Sequence, residues 1–349
     1  MEALTHLRPG RRAQRIAVKA AYGGGAAGTA GALGWGLLRV EAHLARRVIG
    51  QPTESAPVTG GSWGRGREGT APLRLAVLGD SSAAGLGVET AEQTPGALLA
   101  GSLARELRRR VLLDVPAVVG ARSADLDAQV ARATVRPIDL VVIMVGANDV
   151  THRVPPADAA RDLARAVATL RGAGALVVVG TCPDLGTVKP LWQPLRGMAA
   201  LASRRMARAQ TVATVEAGGV AVSLGDLLGP EFGEQPHLWS ADRFHPSPQG
   251  YARVVDTLLP TALELLGEPC EGLVPVRDSV QDVALAATVA SRDPGLVVQT
   301  VEGEQGAAAV GPGRLARLRR RLPLAGRGAP EGRTDSEQDA ADTEDCPRT

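Results

Sequence analysis

The most constraining feature of this chain is Leu140-Val141-Val142-Ile143-Met144-Val145, an apolar run with no polar interruption. A strand with one wet face alternates apolar and polar residues. A short unbroken run instead describes a strand covered on both faces, as in a parallel sheet flanked by helices. The rest of the chain repeats the theme. Strand-like runs over 73–78, 111–119, 175–179 and 220–224 alternate with helical patterns over 94–110, 157–170, 195–216 and 248–266. Five strands alternating with helices predict an α/β protein: a three-layer α/β/α domain around a flavodoxin-like five-stranded parallel sheet. Pro116 falls in the second run. Proline lacks an N–H and belongs on an edge strand, which is where the second strand lies in the order 2-1-3-4-5. Ser247 and Pro248 suit the N-cap and first turn of the last helix.

The flanks read differently, and they divide the 349 residues into a basic leader over 1–50, a Gly/Ser/Thr/Pro-rich linker over 51–70, the main domain over 71–301 and a disordered tail over 302–349. Residues 20–38 carry no charge and just reach the length of a bilayer-spanning helix. Arg8, Arg11, Arg12, Arg15 and Lys19 precede them and favour a cytoplasmic N-terminus. The expectation is a membrane anchor at 20–38 that holds the domain outside the cytoplasm. Seven glycines in the stretch leave a cleaved signal, or a soluble leader on a cytoplasmic protein, as alternatives. In the tail, an arginine run over 314–327 and an acidic end over 331–345 read as solvated chain, or as a basic contact to anionic lipid. Residues 278–301 fit a further helix and strand of the main domain. A net charge of +2 and 2% aromatic residues argue against nucleic acid as a partner. Three cysteines make no disulfide scaffold and no CxxC zinc pair. Cys182 and Cys270 either pair, if the domain lies outside the cytoplasm, or stay as thiols. Nothing in the pattern fixes an oligomeric state.

Open parallel sheets bind ligands at the carboxyl ends of their strands. There this sequence places Gly79-Asp80-Ser81-Ser82, Gly120 and Gly146-Ala147-Asn148-Asp149. Asp242-Arg243-Phe244-His245-Pro246 stands just before the last helix. A serine hydroxyl is a weak nucleophile until a base takes its proton, and His245 is the natural base for Ser81. Asp242, three residues earlier, can orient the imidazole. The backbone N–H groups of Ser81 and Gly120 and the side-chain amide of Asn148 are candidate donors to an oxyanion. Asp80 and Asp149 read as loop supports and Ser82 as a capping neighbour. Arg122 and His152 are either pocket residues or solvated loop residues. Trp239 either walls the site or belongs to the core.

Taken together, the blocks Gly79-Asp80-Ser81, Gly120, Gly146-Ala147-Asn148-Asp149 and Asp242-Arg243-Phe244-His245-Pro246 resemble those of the SGNH (GDSL-type) hydrolases, over roughly 73–267. Two positions depart from the family pattern. Val119-Gly120-Ala121-Arg122 lacks the usual Ser-Gly pair, and Ser82 stands where leucine follows Gly-Asp-Ser. The resemblance implies a serine esterase or lipase with Ser81, His245 and Asp242 as triad and Ser81, Gly120 and Asn148 as oxyanion hole. It implies a small-molecule or lipid ester as substrate, and no metal or organic cofactor. A carbohydrate O-deacetylase, or a non-catalytic membrane-tethered binding module, are the alternatives on the same fold. A nucleotide-binding flavodoxin-like domain would want a GxxxxGK[ST] phosphate loop, which the sequence lacks.

Overall fold

The computed structural model describes residues 55–67 and 69–268 together with the strands at 273–282, 296–300 and 315–321. Among the described residues, six strands precede residue 223: β1 (Gly61–Trp63), β2 (Leu73–Gly79), β3 (Val111–Asp114), β4 (Leu140–Met144), β5 (Leu176–Gly180) and β6 (Val220–Val222). β3, β2, β4, β5 and β6 pair in parallel in that spatial order, the 2-1-3-4-5 arrangement expected from the sequence. The register sets Val77 beside Val142 and Val141 beside Val177.

The helices are α1 (Ser81–Ala84), α2 (Pro95–Leu107), α3 (Leu126–Ala133), α4 (Ala147–Thr151), α5 (Pro156–Gly172), α6 (Leu195–Glu216), α7 (Leu224–Glu234) and α8 (Pro248–Leu265). On one face of the sheet, Leu75, Val77, Leu140 and Val142 pack with Leu99 and Leu103 of α2, Leu228 of α7 and Val254 and Leu258 of α8. On the other, Val141, Ile143, Val177 and Val179 pack with Leu126 and Val130 of α3 and Leu163, Val167 and Leu170 of α5. β4 thus sends alternate residues into two cores, which is why its sequence never alternates. Each such side chain contributes about 1.5–3 kcal/mol when withdrawn from water. The last helix starts as expected, with the Ser247 hydroxyl accepting the Gly250 N–H at 3.1 Å and Pro248 in the first turn.

Four sequence expectations change. β3 stops at Asp114, so Pro116 lies beyond the ladder, and the edge it was expected to mark is covered by antiparallel β1, with Trp63 opposite Val111. β1 comes from the expected linker over 51–70; three residues are too few to show a period. α7 adds a helix that the sequence pattern does not announce, because glycine and proline punctuate Leu224-Gly225-Asp226-Leu227-Leu228-Gly229-Pro230. Burial of Leu224, Leu228 and Phe232 at i, i+4 and i+8 overrides that local signal. Beyond β6 the sheet continues antiparallel through β8 (Leu296–Thr300) and β9 (Leu315–Arg321) to β7 (Leu273–Asp282). Residues 278–282 are therefore strand rather than helix, and the expected disordered tail contributes β9. Arginine-rich Leu315–Arg321 reads as solvated by composition, but ladder hydrogen bonds come from the backbone. The leader with its expected anchor at 20–38, and the acidic end at 331–345, lie outside the described residues. Among the described residues, no helix is long and apolar enough to cross a membrane.

Candidate active site

β2 ends where glycine is obligatory. Gly79 has φ +135°, and a Cβ there would collide with the Met144 carbonyl oxygen. The chain crosses this contact, donates the Asp80 N–H to Met144 O at 3.0 Å and enters α1. Asp80 caps that helix, its Oδ1 accepting the Ser82 N–H at 2.9 Å. Ser81 is therefore the first helical residue, whose N–H has no intrahelical partner.

The Ser81 hydroxyl meets His245 Nε2 at 2.9 Å, and His245 Nδ1 meets Asp242 Oδ2 at 2.6 Å. A carboxylate only accepts, so Nδ1 carries the proton. Nε2 is then the acceptor for the Ser81 O–H. The other oxygen of Asp242 accepts from Ser240 Oγ at 2.7 Å and from the N–H groups of Phe244 and His245 at 2.8 and 2.9 Å. A tight turn makes this possible: Arg243 takes φ +55°, and the Ser240 N–H donates to His245 O at 2.8 Å. Partial burial pulls the Asp242 carboxyl upward, but the bonds from His245, Ser240 and Phe244 outweigh it and hold the group well below the usual carboxylate range. The imidazole and hydroxyl are both buried.

The glycine and asparagine expected as oxyanion donors share one loop system. Val118 donates its N–H to Gly79 O at 3.1 Å, and Ala121 closes the turn onto Val118 O at 3.0 Å, with Gly120 at φ +84° between them. Gly120 N–H has no partner among the described residues. Asn148, in α4, donates one amide hydrogen to Ala121 O at 3.0 Å and retains a second. Asp149 accepts the N–H and the hydroxyl of Ser123 at 3.1 and 2.9 Å, the expected supporting role. Ser81, His245 and Asp242 are thus joined by direct bonds, whereas Gly120 and Asn148 are tied to the same strand ends through Val118 and Ala121.

Two residues that hold the site were not legible beforehand. Gln129 of α3 accepts the Gly79 N–H at 2.7 Å and donates to Gly79 O at 2.9 Å. Gln210 of α6 accepts the Cys182 N–H at 2.7 Å and donates to Val145 O at 2.9 Å, bracing the carboxyl ends of β4 and β5. Both are fully buried. Their only sequence signal is a lone glutamine on the apolar side of a helix. Burial pushes the equally buried Asp80 carboxyl up to about 6, against the lowering effect of the Ser82 N–H and the nearby His245 charge. Arg122 and His152 are exposed and lie outside the adjoining cavity. Cys182 is buried, which pushes its thiol well up, and Cys270 lies outside the described residues.

A cavity of about 90 Å³ adjoins the site. Its lining includes Ser82, Ala147 and Phe244, the sequence neighbours of Ser81, Asn148 and His245. Its walls are apolar, built from Leu224, Leu228 and Phe232 of α7 and from Trp239. Trp239 is thus a wall: its ring stands edge-on to Phe232 at 5.0 Å, and its Nε1 donates to Phe232 O at 2.8 Å. Thr181, also in the lining, holds a buried hydroxyl with no hydrogen-bond partner among the described residues.

Residues 77–253, which include every residue of this arrangement, match the profile of the GDSL-like Lipase/Acylhydrolase family. The GDSL-like esterase Rv1075c of Mycobacterium tuberculosis is 41% identical over 254 residues, covering 70% of this chain and 80% of that protein. Similar solved structures include TesA, at 26% identity and TM-score 0.45 over 55% of this chain and 99% of that one. The extracellular lipase of Streptomyces rimosus is another, at 20% identity and TM-score 0.41 over 56% of this chain and 99% of that one. A family match across half the sequence, and a relative this similar across most of its own length, lead to one assignment: the chain belongs to the GDSL-like lipase/acylhydrolase family of SGNH hydrolases.

Proposed function

We propose that the protein is a serine esterase that hydrolyses carboxylic esters. The observation that carries this reading is the continuous relay from Ser81 Oγ through the His245 imidazole to the Asp242 carboxylate, at 2.9 and 2.6 Å. His245 Nε2 takes the hydroxyl proton as Ser81 Oγ bonds to the ester carbonyl carbon. The carbonyl oxygen becomes an oxyanion that accepts from the Ser81 and Gly120 N–H groups and the second amide hydrogen of Asn148. Collapse breaks the bond to the alkoxide, which leaves with the proton held on Nε2 and leaves an acyl-serine. Water then repeats the sequence: Nε2 takes a water proton, hydroxide adds to the acyl carbon, and the proton returns to Ser81 as the acid departs. Asp242 stays ionised throughout and stabilises the imidazolium.

The acyl group is assigned to the apolar cavity. Its apolar lining suits the hydrocarbon part of an acyl chain. Removal of an acetyl group from a carbohydrate would use the same chemistry and differs in the alcohol. The reading is tested on p-nitrophenyl esters from acetyl to long acyl chains, with wild type beside Ser81→Ala. Expected are wild-type rates that fall by at least about 10³-fold in the variant, with the chain-length optimum reporting the acyl preference. Wild-type rates in Ser81→Ala would refute the nucleophile.

A further inference from the structure

Outside the cleft, the large apolar side chains left in solvent are unevenly placed. Among the described residues seven are exposed, and Trp192 (71%), Met198 (53%) and Leu201 (52%) lie within ten residues of one another. Met198 and Leu201 stand at i and i+3 on the first turns of α6, and so share a face. The Trp192 carbonyl accepts the Arg196 N–H at 2.7 Å, which ties the tryptophan's backbone to the first turn of that helix. This segment follows β5, so it stands at the carboxyl edge of the sheet, the edge that carries Ser81. Val118 and Val119, exposed at 44% each, lie at the same edge beside Gly120. Five of the seven exposed residues therefore ring one end of the molecule. Chance scatter over the surface would not collect them.

The segment that carries the patch has charged residues of one sign. From Val188 to Val215 the chain carries Lys189, Arg196, Arg204, Arg205 and Arg208 and no carboxylate. Arg204 is paired with Asp184 at 3.2 Å. Arg205 and Arg208 are exposed and stand at i+4 and i+7 from Leu201, on the face of α6 that carries Met198 and Leu201. Methionine and leucine beside cations on one helix face, with a tryptophan just ahead of the helix, is the composition of an interfacial element: apolar side chains enter the acyl boundary while cations meet phosphate.

We propose that the Trp192/Met198/Leu201 face docks the domain on an anionic phospholipid bilayer, with the mouth of the site at the membrane surface. The test uses the full chain with Cys270 and Cys346 replaced by serine. An environment-sensitive fluorophore is attached at Met198→Cys or, as a control on the opposite sheet edge, at Val135→Cys. Vesicles of phosphatidylglycerol and phosphatidylcholine, and of phosphatidylcholine alone, carry bromine-labelled acyl chains as quencher. The expected result is a blue shift and quenching at position 198 only, with phosphatidylglycerol present. Adding Trp192→Ser and Leu201→Ser should abolish both while hydrolysis of a soluble ester continues. Equal responses at 198 and 135 would place the binding elsewhere, in the leader for example, and overturn the proposal. No response at 198 would overturn it too, because another part of the chain or a partner then covers the patch.

Discussion

Asp80→Asn should make the protein more stable at neutral pH. Asp80 is buried, and its carboxyl is pushed from an ordinary 3.8 up to about 6, chiefly by desolvation. The native state thus binds the Asp80 proton more tightly than the unfolded chain does. Between about pH 4 and pH 6 folding is linked to proton uptake, and stability falls as pH rises through that window. Above it the full penalty applies. Two pKa units at 1.36 kcal/mol each amount to about 3 kcal/mol, a large part of the 5–15 kcal/mol typical of a domain. Asparagine keeps an oxygen for the Ser82 N–H, now accepted at 2.9 Å, so the helix cap survives. Urea unfolding of wild type and variant at pH 4, 5, 6 and 7 measures the difference directly. The variant should gain up to about 3 kcal/mol at pH 7, and the gain should shrink toward zero near pH 4. Equal stabilities at pH 7, or a gain independent of pH, would refute the argument. The same substitution should slow ester hydrolysis, because the Asp80 charge favours a positive imidazole at His245. A carboxylate that destabilises the fold yet assists the site is a trade made at functional positions.

Gln129→Leu should cost about 1–3 kcal/mol in urea unfolding, the price of one orphaned buried donor. The Gly79 N–H loses its acceptor, whereas Gly79 O keeps the Val118 N–H at 3.1 Å, so the loss is single rather than double. An unchanged unfolding midpoint would show that the amide clamp contributes nothing. Leu228→Ala should move the ester optimum toward longer acyl chains, because Leu228 forms part of the cavity wall. An unchanged chain-length profile in an active variant would separate the cavity from the acyl group without touching the Ser81 assignment.

The amino-acid order alone specifies the alternation of buried parallel strands with helices and the four site blocks. Each of these is written locally: in an unbroken apolar run such as Leu140–Val145, in the alternation of strand and helix, and in short polar blocks at strand ends. The peripheral strands were not legible, since β1 has three residues and β9 is rich in arginine, and pairing uses backbone groups that composition does not report. α7 was hidden by its glycines and Pro230 and exists because three apolar side chains find a core. Gln129 and Gln210 were invisible for the same reason. Their partners, Gly79 and the Val145–Cys182 pair, are far away in sequence, and a long-range hydrogen bond leaves no local period. Only the folded chain sets the Ser81 hydroxyl 2.9 Å from an imidazole 164 residues later, because that distance is fixed by how α8 and its preceding turn pack on the sheet.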